Sequence, residues 1–184
     1  MSEKYKVKDQ DRIYFVTFAV ESWVDVFTRP LYSDIVINSL RHCQQTKGLD
    51  LYAWCIMSNH IHLIVGRNGE EPIENIIRDF KKFTSVMICR AIQENPEESR
   101  KEWVLEIFKK AAESSSKHQK FKFWQSEFHP IELGWREIAL QKLKYLHRNP
   151  VEAGIVEKEE DYLLSSAADY LLDKKGLLKL KFIS

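Results

Sequence analysis

Two strand-length apolar runs, "LDLYAWCIM" starting at Leu49 and "HIHLIVG" ending at Gly66, are separated only by Ser58-Asn59. Turn-forming residues between two runs of β-formers leave an antiparallel hairpin as the economical reading. The hairpin has helical patterns on both sides. "DIVINSLRHCQQ", preceded by Pro30 and Ser33, reads as a helix ended by Lys47-Gly48. "EEPIENIIRDFKKFTSVMICRAIQE" starts with acidic residues and Pro72, which suit a helix N-terminus. Upstream, "RIYFVTFAV" (Arg12 to Val20) is β-branched and aromatic and predicts a first strand. Downstream, "FKFWQSEFHPIEL" fits a fourth strand or an irregular aromatic segment. "WREIALQKLKYLHR" predicts a helix that should stop near Asn149, because Pro150 disfavours helical backbone just before it. The order β-α-β-β-α-β-α points to an α+β sandwich, an antiparallel sheet covered by helices mainly on one face.

The chain of 184 residues fits a single domain, 1–184, with one insertion. Residues from about 95 to 120 are charged and contain a Ser triplet; they predict a mobile insertion or lid whose middle is a short amphipathic helix. A basic tail occupies about 172–184. The net charge of +1 lends no support to a strongly basic binding protein, although a local patch is what matters for nucleic acid. Three cysteines without a CxxC pair argue against a zinc ribbon or a disulfide framework and for reduced, buried thiols. No apolar run approaches the roughly 20 residues of a membrane span. The polar start "MSEKYKVKDQDR" lacks a signal-peptide core, so the expected location is the cytoplasm, with no membrane partner.

Against this background His60 and His62 stand out. On a strand they project from the same face. Such a pair can grip one divalent cation, or it can be two half-buried histidines satisfied by hydrogen bonds. A metal site needs a further ligand and catalysis needs a reacting group, and the last long helix offers both. Its apolar stripe is Trp135, Ala139, Leu143 and Leu146. On an ideal helix Tyr145 lies about 120° from the centre of that stripe, at the flank. Asn149, four residues on, falls over the same flank, where its amide oxygen suits a third ligand. An ordinary surface tyrosine and a helix C-cap before proline are the competing readings.

Three motifs in order carry a family resemblance. "YAWCIMSNHIHLIV" resembles the strand-turn-strand of HUH-type single-tyrosine transposases. Trp124-Gln125 in "FWQSEF", then "YLHRNPVEAGIVEKEEDYLLSSAADY", resemble the branch of REP-associated tyrosine transposases. The resemblance covers roughly residues 10–90 and 121–171. It implies a ferredoxin-like fold, His60 and His62 as metal ligands, Asn149 completing the site, and Tyr145 as the nucleophile. It also implies Mg²⁺ or Mn²⁺ as cofactor and single-stranded DNA, commonly beside a hairpin, as partner. A homodimer is compatible with it, since some relatives exchange tyrosine helices. The expected DNA contacts are Arg78, Lys81, Lys82 and Arg90 on the helix after the histidine strand, Arg148 beside Tyr145, and the Trp124-Gln125 pair. The competing readings are a solvated helix face for the cations and core packing for Trp124. Ser58 stands where many relatives have proline, which should loosen the turn before His60. The implied activity is metal-dependent DNA cleavage and strand transfer through a 5′-phosphotyrosine. A water-using phosphoesterase and a non-catalytic hairpin binder are the alternatives.

Overall fold

A computed structural model describes residues 7–114, 120–126, 128–172 and 174–183. The hairpin forms from β2 (Leu49–Ile56) and β3 (His60–Arg67), with a register irregularity between Leu51 and Ala53. Strand β1 (Tyr14–Ala19) lies against the free side of β3, and the short β4 (Ile131–Glu132) against β1. The sheet order is β2-β3-β1-β4, with every neighbour antiparallel. Helix α1 (Pro30–Thr46) carries the chain from β1 to β2, leaving a gap that β3 fills. Helix α2 (Ile73–Glu94) carries it from β3 towards β4 across β1 in the same manner. This is the ferredoxin-like arrangement.

Period-two alternation decides which residues meet which helices. Val16, Phe18, Trp54, Ile61 and Leu63 are buried with Val36 and Leu40 of α1 and Ile76 and Phe80 of α2. Truncating one of them, Leu63→Ala for instance, would cost about 2–5 kcal/mol. The alternate residues Phe15, Ala53, Cys55 and Ile64 face the other way. They are covered by Ala139, Leu143 and Leu146 of α4 (Arg136–Glu152).

The α1 stop falls where expected. Gly48 follows the C-cap Lys47 with φ +69°, and a Cβ there would meet the Asn68 side chain and the Gly69 backbone at 3.1 Å. The α4 stop does not: the helix runs through Pro150 to Glu152. The turn beyond the proline is held by its own C-terminal motif. Gly154, at φ +69°, donates to Val151 O, and Ile155 N donates to Pro150 O, both at 2.9 Å. Pro150 itself is buried, so packing outweighs the local preference.

The insertion carries its expected helix, α3 (Lys101–Glu113), and that helix is docked rather than loose. Val104 and Phe108 join the main core, and Phe108 packs on Phe123 with ring centroids 5.3 Å apart. Glu98, 4% exposed, anchors the approach through Arg29 (2.8 Å), Arg100 (3.1 Å) and the Tyr32 hydroxyl (3.1 Å). Residues 115–119, which include part of the Ser triplet, lie outside the described residues. The fourth-strand segment is split: Trp124 bridges Val20, and β4 pairs with Tyr14 and Phe15. The outer edge of β2 is covered by the chain on either side of α5 (Ala167–Leu171). Ile56 N bonds Leu164 O, Ser166 N bonds Trp54 O and Lys181 N bonds Leu51 O. All three cysteines are free and buried; burial pushes the Cys43 thiol up to about 11 and Cys55 and Cys89 to about 12. Among the described residues no helix is long and apolar enough to cross a membrane.

Candidate active site

The site is built on the second face of the sheet, where β1, β3 and α4 meet. Antiparallel register sets His60 opposite Ala19 and His62 opposite Thr17. The turn before His60 is tied from outside: Val20 N donates to Asn59 O and Phe27 N to Ser58 O, both at 2.8 Å. The slack expected from Ser58 is offset by these bonds. The two imidazoles bring their ε nitrogens to 3.1 Å.

Their outer nitrogens explain the orientation. His60 Nδ1 lies 2.8 Å from Asn59 Oδ1, and His62 Nδ1 lies 2.7 Å from Thr17 Oγ1. A carbonyl oxygen only accepts, so His60 carries its proton on Nδ1 and turns a lone pair inward from Nε2. A threonine hydroxyl either accepts or donates. When Thr17 accepts, His62 also turns a lone pair inward. Two nitrogens each about 2.1 Å from one cation, at angles between square and tetrahedral, stand roughly 3.0–3.4 Å apart. The observed separation fits that range. Burial first, then the neighbouring His60, with a smaller push from Lys142 and an opposing hydrogen bond from Asn149, pushes His62 down to about 3. Burial lowers His60 as well. Both rings are therefore neutral at physiological pH, the form that binds a metal.

Helix α4 adds the remaining groups. Its buried stripe is Ala139, Leu143 and Leu146, while Trp135 at the N-cap is 73% exposed and outside it. Tyr145 sits at the flank, 44% exposed. Its ring meets His62 at a centroid distance of 5.5 Å and Phe15 at 6.0 Å, both edge-on. Asn149 Nδ2 donates to the Tyr145 carbonyl at 2.7 Å, and the Asn149 amide opposes the lowering of the His62 pKa. The donor chemistry suits a cation: two ring nitrogens face each other at 3.1 Å, and an uncharged amide stands on the helix turn beside His62. No cluster of three His, Cys, Asp or Glu side chains able to hold a metal occurs among the described residues, so neutral donors are the feature of this site.

The candidate nucleic-acid contacts are not gathered there. Arg78, Lys82 and Arg90 lie on α2, which covers the opposite face of the sheet. Arg78 is tied to Asp79 at 3.1 Å and Arg90 to Glu94 at 2.7 Å. Lys81 donates to Gln125 O at 3.0 Å, and Gln125 bonds Ala19 O and Val20 O, so this pair sits at the His60 end of β1. Arg148 is exposed on α4, 3.6 Å from Glu152. Trp124 corrects the expectation of a base contact. It is 5% exposed, packs on Phe123 and Phe27, and gives its indole N–H to Thr84 Oγ1 at 2.9 Å. A ring walled in on its faces has no surface for a base.

Sequence reasoning misses Phe15, Thr17, Trp23 and Lys142. Phe15 stacks on His62 at 5.4 Å. Trp23 meets His60 edge-on at 5.8 Å. The Lys142 ammonium lies 5.0 Å over the Phe15 ring and 5.4 Å over Tyr145. Lys142 has a readable signal, since it lies three residues before Tyr145 on the same helical flank. Thr17 and Trp23 have none, because only strand register and a loop path bring them in.

Residues 10–108 match the family model described as "Transposase IS200 like". A solved REP-associated tyrosine transposase bound to a REP hairpin aligns over 100% of this chain and 94% of its own, at 15% identity and a TM-score of 0.62. A crystal structure from Deinococcus radiodurans R1, assigned as a candidate transposase, aligns over 79% of this chain and 96% of its own, at 15% identity and a TM-score of 0.47. No curated protein matches. At these identities the first solved structure speaks for the fold.

Proposed function

The chain belongs to the IS200-like transposase family, and we propose that it is a metal-dependent single-stranded DNA endonuclease and strand transferase working through a 5′-phosphotyrosine on Tyr145. One observation carries the reading: Tyr145 packs against His62 of its own chain while the two ε nitrogens face each other at 3.1 Å. On this reading Tyr145 would act on a phosphate held at the histidine pair of its own chain.

His60 Nε2, His62 Nε2 and Asn149 Oδ1 are the atoms that would hold Mg²⁺ or Mn²⁺. When bound, the cation supplies neutralisation of the phosphodiester charge that repels an incoming oxygen. Imidazole donors favour Mn²⁺ over Mg²⁺. The chain's own residues do the rest. Thr17 and Asn59 fix the ring orientations. Asn149 ties its amide to the helix backbone of Tyr145, which holds ligand and nucleophile in register. Tyr145 Oη forms a bond to phosphorus as the P–O3′ bond breaks. The phenolic proton passes to the departing 3′ oxygen, so one strand end carries a free 3′-hydroxyl and the other a 5′-phosphate on tyrosine. Lys142, over the Tyr145 ring, places a positive charge where phenolate character grows. Because the intermediate is an ester of the same kind, a second 3′-hydroxyl rejoins it without an external energy source.

The REP hairpin in the solved structure of similar fold supports a hairpin-bearing single strand as the substrate. The test is a denaturing gel of labelled hairpin DNA with single-stranded flanks, incubated with the protein and Mn²⁺. The expected result is a covalent protein–DNA band that is absent with Tyr145→Phe. Cleavage that persists in that variant would instead make water the nucleophile. Binding without cleavage would leave a hairpin-binding protein.

A further inference from the structure

The segment between β1 and α1 contains two consecutive residues in the left-handed region, Ser22 (φ 55°) and Trp23 (φ 56°). Neither is glycine, and for a bulky residue such as tryptophan this conformation is an outlier. It costs free energy and persists only where the surroundings enforce it. Here they do. Val20 and Val24 are buried on either side, Glu21 N bonds Phe123 O at 2.7 Å, and Glu21 pairs with Lys122 at 2.9 Å. Asn59 Nδ2, whose oxygen orients His60, donates to Trp23 O at 3.3 Å. Yet the side chain so constrained is not used in the core. Trp23 is 55% exposed and stands edge-on to His60 at 5.8 Å. A large apolar ring is being displayed in a strained conformation beside a ligand histidine.

The rings form a series: Trp23, His60, His62, Tyr145, with successive centroids 5.8, 4.7 and 5.5 Å apart. The two exposed aromatics therefore flank the histidine pair, with the nucleophile at one end and the indole at the other. A base is attached within one nucleotide's reach of its phosphate. Base-on-aromatic stacking tolerates any base, since every base has a π-face. The geometry points to Trp23 as a stacking platform for the base next to the phosphate that Tyr145 attacks, a positioning residue that fixes the strand on the side of the histidines away from the tyrosine. This inference rests on the transposase reading above.

The test measures binding rather than cleavage, in a Tyr145→Phe background, by fluorescence anisotropy. The probe is a labelled DNA hairpin with single-stranded flanks, and a set of the same probe carries one abasic nucleotide at successive flank positions. Trp23→Ala should weaken binding to the intact probe by roughly 5- to 150-fold, the range of one stacked base. That loss should vanish at a single abasic position and persist at the others. Trp23→Phe, which keeps a flat ring, should recover part of the affinity. Trp23→Gly, which suits the left-handed backbone, should raise the melting temperature while losing the same affinity. Equal binding by wild type and Trp23→Ala, or a loss that is the same at every abasic position, would overturn the platform and leave the transposase reading intact. A wild-type protein that neither binds nor cleaves any hairpin probe would remove both.

Discussion

Thr17→Val removes one oxygen from the site and little else. Both residues are β-branched strand formers of the same shape, so β1 and its pairing with β3 should survive. What is lost is the partner of His62 Nδ1 at 2.7 Å, in a ring only 4% exposed. A buried ring nitrogen left unpaired costs about 1–3 kcal/mol. His62 escapes part of that cost only by moving its proton to Nε2, where it points at His60. That tautomer has no lone pair to offer a cation. To bind a metal, the variant must return the proton to Nδ1, against a valine methyl. The two routes lead to similar magnitudes, because losing the partner that orients a ligand histidine typically costs 10- to 100-fold in metal affinity. The assay is urea unfolding with and without Mn²⁺, since the ligand-induced stabilisation reports the dissociation constant. We expect Thr17→Val to lower the metal-free midpoint and to lose most of the Mn²⁺-dependent rise, with Thr17→Ser restoring both. A Thr17→Val protein whose Mn²⁺ response matched wild type would refute the reasoning, since the histidine tautomer would then not be set by this hydroxyl.

The donor set contains no carboxylate, so Mn²⁺ alone should bind weakly and gain affinity when phosphate oxygens join it; calorimetric titration with and without uncleavable DNA should show each ligand tightening the other by the same factor, and equal Mn²⁺ affinities would contradict this. Asn149→Ala should weaken Mn²⁺ binding while leaving the unfolding free energy within about 1 kcal/mol of wild type, because the residue is only partly buried and its helix bond is local. His147, 5% exposed and bonded to Ser166 Oγ at 2.8 Å, is pushed down to about 4 by burial. A histidine held neutral stabilises the fold fully above about pH 6.5, and that contribution is lost as pH falls towards 4, on the order of 3 kcal/mol in all. Denaturation midpoints between pH 8 and pH 4 should therefore fall less steeply for His147→Gln, and an unchanged slope would rule this residue out. Glu98→Ala should cost about 1–3 kcal/mol, less than a fully buried pair because Arg29 and Arg100 keep access to water, measured by thermal unfolding; near-wild-type stability would mean that the α3 docking does not depend on this carboxylate.

What could be read in the chain divides by the range of the interactions involved. The hairpin, its two helices and the shared face of His60 and His62 follow from periodicities a few residues long, and they appear as read. The flank position of Tyr145 follows from one helical turn and appears too. Local rules failed where packing opposes them. Pro150 should end α4, but its burial and the turn closed by Gly154 carry the helix past it to Glu152, and Asn149 then lies within the helix that bears Tyr145. Trp124 has the composition of a base contact, and the bridge between its segment and Val20 instead folds it into the core. The residues that tune the histidines had no local signature at all. Thr17 reaches His62 because β1 and β3 align in one register out of several, and a slip of one position would exchange it for a core side chain. Trp23 reaches His60 because two left-handed residues redirect the chain as it leaves β1. A pair of histidines on a strand is therefore a weak sign of chemistry by itself. It becomes a specific one when the neighbouring strand supplies the proton acceptor that frees the inner nitrogen and the opposite helix supplies an oxygen, and both of those partners lie dozens of residues away in the chain.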